Sequence, residues 1–74
     1  MDTVPISFQM YDTVRVVALP STFDPSLREP KVGDVGVVVM VYDSPTEGYG
    51  VEGVDDGRTI WLADFRPDEL ELWS

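Results

Sequence analysis

Valine-rich segments with alternating polar and apolar positions run through the chain, and proline or glycine separates them. In residues 12–19, Val14 and Val16 share one parity while Thr13 and Arg15 occupy the other, which is typical of a half-buried strand. No stretch of the sequence repeats its apolar residues with the period of a helix. The pattern therefore predicts an all-β protein that contains almost no helix.

Four further strands are predicted after a long first loop. They cover residues 37–42, 49–54, 58–64 and 70–73. The segment 37–42 is continuously apolar, as expected of a strand that is buried on both faces or wraps around a closed barrel. The loop, residues 20–34, is rich in proline, which cannot donate a hydrogen bond to a neighbouring strand. Phe23 and Leu27 are the apolar side chains available to pin this loop to the rest of the domain.

Two short connections have sequences with well-defined geometries. Asp55-Asp56-Gly57 predicts a tight hairpin, because Asp-Gly readily adopts the positive φ angles of such turns. Residues 66–69 predict one turn of 3₁₀ helix before the last strand, with Pro67 near its start. Five short strands can curl into a small closed barrel, which removes exposed sheet edges. The element order predicts a five-stranded SH3-like barrel over residues 11–74, preceded by an arm or an extra edge strand at residues 1–10.

Several motifs resemble those of one family of small barrels. They are residues 31–42 (KVGDVGVVVMVY), Val51-Glu52, residues 56–59 (DGRT) and residues 67–70 (PDEL). Over residues 11–72 the chain resembles the small bacterial SH3-like and KOW-like barrels catalogued as domain of unknown function 4926. That family usually has a bulky apolar residue where this chain has Gly53. The resemblance therefore implies that Trp61 or Trp73 fills the space at Gly53, or that the strand bulges there.

A weaker similarity concerns the end of the chain. Residues 65–70 (FRPDEL) are similar to the end of the variable chain of ferredoxin:thioredoxin reductase, which is another SH3-like barrel. This similarity implies an accessory role in a redox enzyme. Ferredoxin is acidic, however, and a chain of net charge −9 would repel it. The hexapeptide also suits the 3₁₀ turn and last strand of any such barrel, so it serves mainly as evidence of fold.

The 74 residues make one small domain and include neither cysteine nor histidine. No disulfide or thiolate is therefore available, and the hydroxyl side chains have no histidine to activate them. The acidic residues lack the spacing of a calcium-binding loop. We expect no enzyme activity and no catalytic, cofactor-binding or metal-binding residues. The longest apolar run, residues 35–42, is too short to span a membrane, and residues 1–10 lack a secretory signal, so a cytoplasmic protein is expected.

Charge differs between the two halves of the chain. Fourteen acidic and five basic residues give a net charge of −9, of which residues 1–42 contribute −2 and residues 43–74 contribute −7. The basic residues are scattered and outnumbered, so direct binding of nucleic acid is not expected. The acidic half is either a docking face for a basic protein or a means of keeping a small domain soluble.

Aromatic residues and one carboxylate leave further alternatives. Tyr11, Phe23, Tyr42, Tyr49 and Trp61 are the side chains that could line a groove for a proline-rich peptide. Tyr42 and Trp61 are expected in the core instead, whereas Phe23 and Tyr49 flank loops and are open to either role. Glu52 is expected to face outward from its strand, because an unpaired buried carboxylate is costly.

These observations predict a non-catalytic, acidic interaction module that docks or neutralises a basic protein, as an immunity protein or antitoxin does. The candidate partner-binding residues lie in the loops and the acidic half: Phe23, Asp43, Glu47, Tyr49, Asp55, Asp56 and Asp64. An alternative is a structural or docking accessory subunit of a redox or nitrile-processing enzyme. In itself the chain is expected to be a monomer or a weak homodimer.

Overall fold

The computed structural model describes residues 8–43 and 47–73. Within those ranges, six strands form one antiparallel sheet, and a 3₁₀ turn precedes the last strand. The strands are β1 (Thr13–Val16), β2 (Thr22–Phe23), β3 (Val35–Tyr42), β4 (Gly48–Asp55), β5 (Arg58–Phe65) and β6 (Leu70–Leu72), and the 3₁₀ turn is Pro67–Glu69. The predictions of an all-β protein and of the turn before the last strand are confirmed.

The sheet is open, so the predicted closed, five-stranded barrel is wrong in closure and in strand number. The strand order is β2-β5-β4-β3-β1-β6, which leaves β2 and β6 at the two edges, and among the described residues they do not pair with each other. The two edge strands have two and three residues, too few for a continuous ladder between them. Short edge strands themselves limit edge-to-edge aggregation, so the fold does not need closure for that purpose.

The core lies against one face of the sheet. Along β1 and β5, buried side chains alternate with more exposed ones, as the pleat of a strand requires. The buried apolar residues are Phe8, Val14, Val16, Val38, Tyr49, Val51, Trp61, Ala63, Phe65 and Leu70. Since the described residues contain no second layer, the twisted sheet curves around its own inner face to bury them.

Backbone hydrogen bonds hold the long loop against β5. The hydrophobic pattern did not reveal this pairing. β2 lies inside the predicted loop and pairs with β5, and the N–H of Asp24 then donates to the carbonyl of Leu62 at 2.8 Å. Of the two side chains expected to pin the loop, Leu27 is half-buried whereas Phe23 stays 37% exposed. Phe23 is therefore a surface residue held in place by the strand that contains it.

Gly53 makes room for Trp61, which is fully buried. A Cβ atom on Gly53 would overlap the indole ring, and one on Gly36 would lie 2.9 Å from Trp61 Cη2. The pairing of β4 with β5 also shifts register between Gly53 and Val54. Two of the alternatives for Gly53 are thus found together: Trp61 fills the space and the strand bulges. The expectation that Trp61 belongs to the core is confirmed.

A buried carboxylate stabilises the 3₁₀ turn. Glu69 is only 7% exposed, and its Oε1 accepts a hydrogen bond from the N–H of Arg66 at 2.8 Å. In return, the N–H of Glu69 donates to the carbonyl of Arg66 at 3.0 Å. Pro67 starts the turn, where its missing N–H costs nothing. These paired groups offset the cost of burying a charged side chain.

The prediction for residues 1–10 falls mostly outside the described residues, since these begin at Phe8. Phe8 belongs to the core, and Met10 and Tyr11 form a turn that leads into β1. In the part of the chain that the structure describes, no helix is long and apolar enough to cross a membrane.

Candidate functional site

A groove of about 340 Å³ on the sheet surface brings two of the predicted partner-binding residues together. It runs between β2, the last residue of β3 and β5. Its lining residues are Thr22, Phe23, Asp24, Tyr42, Leu62, Ala63 and Asp64. Phe23 and Asp64 were predicted from the sequence. The groove therefore combines the ring of Tyr42, two carboxylates and Leu62, and no basic side chain lines it. Phe23 borders the groove, but it pairs with the buried Ala63, so its side chain lies on the core side of the sheet.

Two glycines on β4 lie between the Tyr42 and Asp64 side chains of the groove. Tyr42 on β3 pairs with Gly48, and Asp64 on β5 pairs with Gly50. A Cβ on Gly48 would lie 3.8 Å from Tyr42 Cδ2, and one on Gly50 would lie 3.5 Å from Asp64 Oδ1. Because β4 has no side chain at either position, the Tyr42 hydroxyl donates across it to Asp64 Oδ1 at 3.3 Å.

Tyr42 is 39% exposed, so the expectation that it packs in the core is wrong. A shift in register between Val38 and Met40 interrupts the alternation of β3, and the strand beyond it leaves the core. Met40 is accordingly 50% exposed. Desolvation, followed by the negative charge of Asp64, raises the pKa of Tyr42 above its usual value. The phenol therefore remains a hydrogen-bond donor at neutral pH.

Asp24 supplies the second carboxylate of the groove. Its Oδ1 accepts hydrogen bonds from the hydroxyl of Ser26 at 2.7 Å and from the N–H of Ser26 at 2.9 Å. The hydroxyl bond, and then the N–H bond, lower the pKa of Asp24. The side chain is therefore ionised at neutral pH and held by its own turn.

Tyr49 lies in the core and is 1% exposed, so it is not available to a partner. Its hydroxyl accepts a hydrogen bond from the N–H of Phe8 at 3.1 Å and donates to Glu47 Oε2 at 2.6 Å. The ring of Phe8 meets that of Tyr49 edge-on at 5.1 Å. Burial, and then the hydrogen bond to Glu47, raise the pKa of Tyr49 above its ordinary value. Glu47, also predicted as partner-binding, is exposed but holds this buried hydroxyl.

This hydrogen-bonded chain predicts a pH dependence of stability. The unfolded chain loses its tyrosine proton near the ordinary pKa of 10.0, whereas the folded chain keeps the proton of Tyr49 to higher pH. The stabilisation is therefore complete below pH 10.0 and is lost as the pH rises through the folded pKa. Urea unfolding followed by circular dichroism from about pH 7 to about pH 11 measures the decline.

Tyr49→Phe is the matching variant. At neutral pH it is expected to lose about 1–3 kcal/mol, because the Phe8 N–H would be buried without an acceptor. Above the ordinary tyrosine pKa its stability should decline less steeply than that of the wild type. Tyr11→Phe serves as a control, since it removes the hydroxyl of a tyrosine that is 74% exposed. An equally steep decline in Tyr49→Phe and the wild type would contradict the role given to Tyr49.

The other predicted acidic residues lie elsewhere on the molecule. Asp56 and Gly57 have φ angles of 53° and 75°, which confirms the predicted tight hairpin between β4 and β5. Asp55 and Asp56 are exposed at this turn. Asp64 lies six residues beyond the start of β5, roughly 20 Å from the turn at the rise of an extended strand. Asp43 is exposed directly after Tyr42, near the groove. The acidic half thus presents two separate surfaces, the groove and the hairpin.

Three of the five basic residues form ion pairs within the described part of the chain. The pairs are Arg15–Glu71 at 2.6 Å, Arg28–Asp34 at 3.0 Å and Arg66–Asp68 at 3.6 Å. Glu52 is half-buried on the face opposite the core, as expected, and accepts a hydrogen bond from the Thr59 hydroxyl. Within residues 8–43 and 47–73, no three acidic side chains cluster closely enough to hold a metal ion.

Sequence reasoning missed Asp24 and Leu62 as lining residues of the groove, and it placed Tyr42, one of the aromatics considered for a groove, in the core. The available signal was Gly48-Tyr49-Gly50, in which two glycines of one parity clear one face of a strand. The chain matches no protein-family model, no curated protein and no solved structure. The resemblance to the small bacterial barrels stays a prediction.

Proposed function

We propose that this chain is a non-catalytic interaction module that docks a basic protein. The observation that carries the proposal is the imbalance of charge: three of the five basic side chains are occupied by carboxylates, and the net charge is −9. Exposed carboxylates at the groove and at the hairpin are left to act on a partner. A strongly negative surface raises the rate at which a positively charged protein associates.

The scaffold supports this role because the strands that carry the acidic residues are well anchored. β4 and β5 pair along most of their lengths and place Val51, Trp61 and Phe65 in the core. A rigid surface loses little conformational entropy when a partner binds. The proposal includes an SH3-like order of elements, with a long first loop and a 3₁₀ turn before the last strand, and a cytoplasmic location.

A second candidate is an accessory subunit of an enzyme complex. The observation that favours it is the set of exposed apolar residues at the end of β3, where Met40 is 50% and Val41 44% exposed. Apolar residues of this kind suit a permanent interface. Such a complex would be stoichiometric and insensitive to salt, whereas docking through charge would weaken as salt rises.

Capture from a lysate of the source organism, followed by purification of the captured protein, separates the two. We expect a partner of net positive charge whose affinity falls by at least about tenfold between 0.01 M and 0.15 M NaCl, as the Debye length shrinks from about 30 Å to about 8 Å. A partner of net negative charge would overturn the docking proposal. So would a complex that survives size-exclusion chromatography at high salt with unchanged affinity, which is the outcome expected of the accessory subunit.

A further inference from the structure

The groove between β2, β3 and β5 has the chemistry of a site for a positively charged side chain. The face of an aromatic ring carries negative electrostatic potential, and Tyr42 offers a partly exposed ring, at 39%. The carboxylates of Asp24 and Asp64 lie on the same lining, and no lysine or arginine does. The ring and the carboxylates therefore favour the same kind of occupant, a cation.

The apolar part of the lining narrows the choice of cation. Leu62, two residues before Asp64 on β5, contributes apolar surface on the same face of the sheet as that carboxylate. A metal ion would gain nothing from such a surface, whereas the alkyl stem of lysine or arginine packs on it while the charged end reaches a carboxylate. The volume of about 340 Å³ is at the lower end for ligand sites and suits one or two side chains of a peptide.

We propose that this groove binds a lysine or arginine side chain from an extended segment of the basic partner, with the cation over the ring of Tyr42 and beside Asp64. This inference rests on the proposed function and places the contact with the basic partner in the groove. Gly48 and Gly50 fit this assignment, because no side chain on β4 separates the ring of Tyr42 from the carboxylate of Asp64. The carboxylates of the hairpin contribute long-range attraction only.

The test uses the whole chain, labelled with ¹⁵N, and the capped tripeptide Ac-Ala-Arg-Ala-NH₂ as the probe. The matched probe replaces arginine by citrulline, which has a similar shape and no charge. We expect the arginine peptide to shift the amide signals of Phe23, Leu62 and Asp64, and the citrulline peptide to leave them unchanged. Tyr42→Ala should weaken binding about three- to tenfold through loss of the ring, whereas Tyr42→Phe should bind nearly as the wild type does.

A charge-matched pair of variants separates the groove from the general field. Asp64→Asn and Asp55→Asn each remove one exposed negative charge, from the groove and from the hairpin respectively. We expect about a fivefold loss of affinity in Asp64→Asn and less than about a twofold loss in Asp55→Asn. Equal losses, or shifts centred on the hairpin, would overturn the groove assignment. The proposed function would survive that result, since it fails only if the captured partner is not basic or binds independently of salt.

Discussion

Replacing Trp61 by alanine is expected to lower the free energy of unfolding by about 3–5 kcal/mol, the largest loss of any single substitution considered. The indole is fully buried and meets the ring of Phe65 edge-on at 6.0 Å. Gly36 and Gly53 leave the space that it occupies, so a smaller side chain would leave a cavity between β3, β4 and β5. A domain of this size is stable by only about 5–10 kcal/mol, of which this substitution would remove a large part.

The second tryptophan provides a matched control. Trp73 is 45% exposed and lies against the guanidinium of Arg15, whose Cζ is 5.0 Å from the ring centroid. Trp73→Ala should therefore cost only about 0.5–1 kcal/mol. Urea unfolding followed by far-ultraviolet circular dichroism compares the two variants without relying on either tryptophan as a probe. Should Trp61→Ala fail to fold, Trp61→Phe keeps an aromatic ring and is expected to lose less.

The opposite result would contradict the assignment of the core. A loss in Trp73→Ala equal to that in Trp61→Ala would mean that the 3₁₀ turn and β6, rather than the curved inner face, hold the sheet together. We do not expect that outcome, because Trp61 packs directly against Gly36 and Gly53.

The strands and turns could be predicted from the sequence because they depend on local chemistry. Asp56-Gly57 has the positive φ angles of its turn, and Pro67 starts the 3₁₀ turn where expected. The openness of the sheet could not be predicted in this way. It depends on which strands pair at long range, and the pairing of β2 with β5 leaves no hydrophobic signal, since both residues of β2 are exposed.

The candidate site was predicted only in part, for a related reason. Phe23 and Asp64 were found because one is an aromatic in a loop and the other a carboxylate in the acidic half. Tyr42 was expected in the core because its segment is continuously apolar, and the bulge that carries it out of the core depends on the register with β4. The error for Tyr49 is the opposite one. It follows a loop in the sequence and was a candidate for partner binding, but it is buried in the core, where its hydroxyl accepts a hydrogen bond from the N–H of Phe8.

Gly53→Ala is expected to be the second most damaging substitution, with a loss of about 1–3 kcal/mol or more. The added methyl group would overlap the indole of Trp61, which has no free space to move into because Gly36 already lies against its other end. Gly48→Ala is the control: its Cβ would lie 3.3 Å from the carbonyl oxygen of Phe65, a tight but tolerable contact. Chemical unfolding of both variants should show at least twice the loss in Gly53→Ala.

A double-mutant cycle decides whether the overlap with Trp61 is the cause. If it is, Gly53→Ala should cost much less in a Trp61→Leu background, because leucine lacks the five-membered ring that the methyl group would strike. The coupling free energy is then expected to be about 1 kcal/mol or larger, as for residues in direct contact. If the two losses simply add, the cost of Gly53→Ala comes instead from the backbone at the bulge next to Val54, where the register of β4 and β5 changes. The cycle therefore distinguishes a glycine that is needed for packing from one that is needed for the shape of the strand.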